Sequence, residues 1–107
     1  MIPITLRKEI DDIVNNLKRR YHPQEIILFG SLAQGQGHSG SDIDLVVKRT
    51  RKTFFNRLRG VALLHRAHVG VDILVYTPRE WEQLQREGRK FVVDEVLRKG
   101  RVLYRAA

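Results

Sequence analysis

One hundred and seven residues is the length of one small domain, and the expectation is a single unit over residues 1–107. Hydrophobic residues at 42% and charged residues at 30% exclude wholesale disorder, while the absence of cysteine removes disulfide scaffolds, thiolate zinc sites, iron–sulfur clusters and thiol nucleophiles together. Twenty Lys and Arg against twelve Asp and Glu give a net charge of +8, which favours nucleotides, nucleic acids or acidic protein surfaces as partners without choosing among them. No apolar run approaches the roughly 20 residues that span a bilayer. Arg7, Lys8 and Glu9 arrive before any stretch of signal-peptide length, so a cytoplasmic protein is expected.

Leu6, Ile10, Ile13, Leu17 and Tyr21 recur at spacings of three and four, which predicts a helix over residues 4–20 that Pro23 closes. The run Glu25-Ile26-Ile27-Leu28-Phe29 is short, apolar and stopped by Gly30, as a buried strand entering a glycine turn would be. Ser31 then stands where it could cap a short helix over residues 32–34. Four of the eight glycines, Gly30, Gly35, Gly37 and Gly40, crowd into this turn and the aperiodic loop behind it.

A second strand is predicted over residues 42–48, with Ile43, Leu45 and Val47 on one face and Asp42, Asp44 and Val46 on the other. Residues 53–65 fit a helix burying Phe54, Leu58 and Val61. Residues 69–76 are expected to form a third strand, interrupted by Asp72. Thr77-Pro78-Arg79-Glu80 is a capping box with proline at the first helical position, followed by Trp81 and Leu84 on the apolar side. A last helix over residues 91–99 is expected to bury Phe91, Val92, Val93, Val96 and Leu97 and to stop at Gly100, before a short edge strand over residues 101–104.

Three aspartates in the strands of a small core need an explanation, because buried carboxylates are costly unless paired or bound to metal. Asp42 and Asp44, two apart on a strand, point the same way, and a neighbouring strand can aim Asp72 at them. Oxygen-only ligands select hard cations such as Mg²⁺, and a pair of them about 4 Å apart serves phosphoryl or nucleotidyl transfer. Upstream, Gly30 permits close approach of backbone to a ligand, and the amides that follow Ser31 suit an anion. Separately, a Gly-Ser after a strand is usually a turn and an Asp-x-Asp is common at strand ends; together with Asp72 they form a composite signal.

Gly30-Ser31, ten residues, then Asp42-Ile43-Asp44-Leu45, with a third carboxylate in Val71-Asp72-Ile73, resembles the signature of the polymerase-beta-like nucleotidyltransferases. The resemblance covers nearly the whole chain, whose brevity is similar to that of the minimal nucleotidyltransferases (MNT) encoded beside HEPN-domain partners. It implies an α/β (α+β) nucleotidyltransferase fold, a small mixed sheet of three or four strands with helices mainly on one face. It further implies that Asp42, Asp44 and Asp72 hold two Mg²⁺ ions and carry catalysis, and that Gly30 and Ser31 hold the triphosphate of ATP. The acceptor it implies is a tyrosine hydroxyl of a HEPN ribonuclease toxin, bound in a hetero-oligomer for which this chain is the antitoxin. Relatives often carry an arginine just after the Gly-Ser pair, where this chain has Leu32, and basic residues where it has Gln34 and Gln36.

Two alternatives stay open: a dormant module that neutralises a HEPN partner by contact, and a transferase acting on RNA or a small molecule. The basic run Lys48, Arg49, Arg51, Lys52, Arg57 and Arg59 is read first as a solvated face and second as a steering patch for ATP or RNA. Arg59 and His65 match the arginine-to-histidine spacing of HEPN ribonucleases only as a decoy, since strands surround them and no tyrosine stands two places after His65. His38 lies in the glycine loop and is read as an exposed bystander.

Overall fold

The computed structural model describes residues 2–38, 40–49 and 70–107. The helix expected over residues 53–65, the distal part of the basic run and the Arg59–His65 pair lie outside them.

Helix α1 (Ile4–Tyr21) sinks Leu6, Ile10, Ile13, Val14 and Leu17 against the sheet, as its spacing predicts. Lys18, Arg19 and Arg20 occupy its last turn, where the helix dipole favours cations, and His22 ends it in the left-handed region at φ 46° just before Pro23. Strands β1 (Glu25–Phe29) and β2 (Ile43–Lys48) pair antiparallel, with Phe29 opposite Asp44 and Glu25 opposite Lys48. Strand β3 (Val71–Tyr76) joins β2 in parallel, and β4 (Arg101–Arg105) joins β1 antiparallel with a register shift at Ile26/Ile27. The mixed four-stranded sheet has the order β3-β2-β1-β4, in agreement with the expected α+β class.

Alternation along β2 divides the interior into two layers. Ile43, Leu45 and Val47 meet α1 with Ile26, Leu28, Ile73 and Val75. Val46 faces the opposite layer with Ile27, Trp81, Val92 and Val96, edged by Phe29, Tyr76, Leu84 and Phe91. Two of the three described helices share that second face. Helix α2 (Pro78–Arg86) begins with the expected box: the Glu80 amide donates to Thr77 Oγ1 at 3.1 Å and the Thr77 amide to Glu80 Oε1 at 2.8 Å.

Helix α3 (Phe91–Arg98) is wound in the wider π register, with the Lys99 amide reaching back five residues to the Asp94 carbonyl. Here the structure corrects the expected core. Val92 and Val96 are buried, but Val93 and Leu97 are 39% and 44% exposed. The two pairs form neighbouring ridges, and a helix lying on a sheet buries only one of them.

At the far end of this layer Glu25 accepts from Lys48 Nζ at 3.1 Å and from Arg105 Nε and Nη2 at 2.8 and 2.6 Å. Burial would raise the Glu25 carboxyl, but the hydrogen bonds and charges of Arg105 and Lys48 outweigh it and hold the pKa below the usual range. Among the described residues no helix is long and apolar enough to cross a membrane.

Candidate functional site

β1 delivers the chain to Gly30, which takes φ +81° and comes so near β2 that a Cβ there would lie 2.5 Å from Asp44 Oδ2. A hydrogen-bonded turn over residues 31–35 follows, in place of the expected short helix over 32–34. The amide of Gln36 returns to the Ser31 carbonyl at 3.0 Å, and that of Gly35 to the Leu32 carbonyl at 3.3 Å. The amides of Ser31, Leu32 and Ala33 are not among the donors of these bonds. Leu32 and Ala33 anchor the turn in the α1 layer, 1% and 7% exposed, while Ser31 is exposed. Leu32 is therefore occupied in packing against the α1 layer.

The loop returns through a second small knot. The His38 amide donates to Ser41 Oγ at 2.8 Å, the Gly40 amide to His38 Nδ1 at 3.1 Å, and the Ser41 amide to the His38 carbonyl at 2.9 Å. Asp42 follows, exposed and one residue ahead of β2. Its carboxylate lies against Gly70, at which a Cβ would collide with Oδ1. Gly70 thus shapes the site by what it lacks, and sequence patterning alone did not single it out.

Asp44 and Asp72 are direct partners across the parallel β2–β3 ladder, and their carboxyls are hydrogen-bonded to each other. Asp44 is half-buried and Asp72 exposed. Burial pushes the Asp44 carboxyl up to about 6, with further upward pushes from the charge of Asp72, the shared hydrogen bond and the charge of Asp42. The structure thus brings Asp44 and Asp72 together next to Gly30, and leaves Asp42 acting on Asp44 through space. Among the described residues no three metal-ligating side chains close on a common point. Beside Asp44, Phe29 meets Phe91 edge to face with ring centroids 5.2 Å apart, an aromatic flank that the sequence did not announce.

Residues 11–107 match the model of the polymerase beta nucleotidyltransferase family. The chain belongs to that family. Among solved structures, this nucleotidyltransferase resembles a protein from Sulfolobus solfataricus assigned as a nucleotidyltransferase, at 22% identity and a TM-score of 0.65. The match covers 95% of this chain and 82% of that one, and shows a shared fold. No curated protein matches the sequence.

The donor set suits the hard divalent cation that the family's chemistry uses. Every donor is an oxygen, and the carboxyls of Asp44 and Asp72, facing each other across adjacent strands, would suit such an ion. Asp44 and Asp72 would hold it, with Asp42 adjacent.

Proposed function

We propose that this nucleotidyltransferase transfers AMP from ATP to a hydroxyl of a partner protein, the tyrosine of a HEPN-domain ribonuclease toxin, and acts as that toxin's antitoxin. The juxtaposition of Asp44 and Asp72 beside the Gly30–Ser31 turn carries the chemical part of this reading. The resemblance of the Gly30-Ser31 and Asp42-Ile43-Asp44-Leu45 motifs to those of the MNT proteins is what suggests the partner.

In the proposed reaction the Ser31 hydroxyl and the amides of its turn hold the triphosphate, and Gly30 keeps that turn tight against Asp44. Asp72, the more exposed of the pair, takes the proton of the acceptor hydroxyl. A bond forms between the acceptor oxygen and the α-phosphorus, the bond from that phosphorus to the bridging oxygen breaks in line, and pyrophosphate departs. Divalent cations bound by the carboxylates would lower the hydroxyl pKa and neutralise the phosphate oxygens. The partner supplies the acceptor and, since Leu32 is packed inward, part of the positive charge that the triphosphate needs.

A second reading has an observation in its favour. Asp42 does not close onto the other two carboxylates, which suits a module that binds its partner without using the metal site. Incubation of the chain with α-labelled ATP, Mg²⁺ and the protein encoded next to it separates the two. Label on the neighbour that disappears with Asp44→Asn or Asp42→Asn supports transfer. Inhibition of the neighbour by those variants without any label supports the contact module, and label on RNA or a small molecule would reassign the acceptor.

A further inference from the structure

Between the Ser31 turn and Asp42 the chain runs through Gly37, His38, Gly40 and Ser41, and the loop they make is built around one imidazole ring. Gly37 seats the loop on the turn, since a Cβ there would lie 3.1 Å from the Leu32 Cα and collide with the Leu32 side chain. One peptide step further on, the His38 Cα stands within roughly 8.5 Å of the Leu32 Cα. On the other side the Ser41 amide donates to the His38 carbonyl at 2.9 Å, one residue ahead of Asp42. His38 is therefore set between the two parts of the site, the Gly30–Ser31 turn and the carboxylates.

His38 is exposed, yet its ring is held. The Gly40 amide donates to Nδ1 at 3.1 Å, and a Cβ at Gly40 would come 3.2 Å from the ring at Cε1. Ser41, 9% exposed, anchors the knot inward, and its Oγ accepts from the His38 amide. A backbone amide can only donate, so in this arrangement Nδ1 is the unprotonated nitrogen and Nε2 carries the hydrogen. Among the described residues that Nε2–H has no partner. Leu32, directly after Ser31, is packed into the α1 layer, and Gln34 and Gln36 are uncharged, so residues 31–36 bring a triphosphate no cationic side chain.

We propose that His38 is a triphosphate-binding residue of this site: its Nε2–H donates to a non-bridging oxygen of the β- or γ-phosphate. It supplies from the loop a donor that the side chain at Leu32 does not. The proposal rests on the reading of the Gly30–Ser31 turn as the seat of the triphosphate.

Inorganic tripolyphosphate with Mg²⁺, titrated into the intact chain, is expected to shift the His38 Nε2 resonance and that of its proton saturably. Of the four histidines, the signal lost in His38→Asn identifies it. AMP, which lacks the β- and γ-phosphates, is expected to leave the signal in place. His38→Asn keeps an acceptor near the Nδ1 position for the Gly40 amide and removes the distal donor. It is expected to weaken tripolyphosphate and ATP about tenfold, on the scale of one hydrogen bond to a charged group. His38→Gln, which carries an N–H close to the Nε2 position, is expected to recover most of that loss. Tripolyphosphate binding that leaves the ring signal unmoved overturns the proposal, as does binding that His38→Asn leaves intact or a loss that His38→Gln shares in full. A native chain that binds no tripolyphosphate overturns both the proposal and the seat on which it rests. A ring that responds while no label reaches the neighbouring protein leaves the proposal standing and removes the transfer reading, and AMP transfer with ATP affinity unchanged in His38→Asn does the reverse.

Discussion

Asp44 and Asp72 stand opposite one another on adjacent parallel strands, with their carboxyls in mutual hydrogen-bond contact. Two acids in that position repel unless a proton or a cation lies between them, so the same arrangement that suits a divalent ion burdens the fold when none is bound.

Substitution should therefore move activity and stability in opposite directions. Asp44→Asn and Asp72→Asn are each expected to lower AMP transfer about 100-fold or more, the scale of a lost catalytic acid–base group. Asp44→Asn should also raise the metal-free Tm by up to roughly 4 °C, since solvent screening discounts the repulsion and about 1 kcal/mol is worth about 4–8 °C at this size. Transfer assays and thermal melts in chelator, on the same preparations, check both halves.

The dependence on pH follows from the Asp44 carboxyl, which titrates at about 6 in the folded chain against 3.8 ordinarily. Between these values the folded state binds more protons than the unfolded one, so stability falls as pH rises through the window. The excess Tm of Asp44→Asn over the native chain should thus be largest above pH 6 and vanish near pH 4. Glu25 works the other way: its pKa is lowered by Arg105 and Lys48, so its contribution is present above about 4.5 and is lost as pH falls further. Comparing the two proteins at each pH cancels that second effect.

Much of this arrangement was legible in the sequence where a local rule had no competitor. The apolar run at Glu25 ends at Gly30, the Thr77–Glu80 box starts α2, and the alternation around Asp44 assigns its face of β2, since each depends on neighbours a few residues away. That Asp72 pairs with Asp44 itself is a matter of register between distant segments, which patterning leaves free. The same limit hid Gly70 against Asp42 and Phe91 against Phe29. Residues 31–35 failed to make a helix because Leu32 and Ala33 are drawn into the α1 layer between Gly30 and Gly35. The apolar cluster in α3 misled because five apolar residues among seven cannot share one ridge.

That last point is testable with one substitution at adjacent positions. Val92 is 1% exposed and Val93 is 39% exposed. Val92→Ala should cost about 2 kcal/mol in urea unfolding, from lost apolar burial and the space left behind. Val93→Ala should stay within about 0.5 kcal/mol of the native chain. Equal losses would mean that α3 lies on the sheet by a different ridge.

Two glycines with positive φ separate backbone strain from damage to the site. Gly30 at φ +81° would place a Cβ 2.5 Å from Asp44 Oδ2, whereas Gly88 at φ +66° has nothing within 4 Å of its Cβ position. Alanine at either position pays the left-handed backbone penalty of about 1–3 kcal/mol. Only Gly30→Ala also forces the Asp44 carboxyl off its place opposite Asp72. Both variants should melt earlier than the native chain, yet Gly88→Ala should keep AMP transfer near native while Gly30→Ala loses at least about tenfold, the cost of misplacing a catalytic group. Full transfer by a folded Gly30→Ala would show that the reaction does not need Asp44 held where the turn puts it.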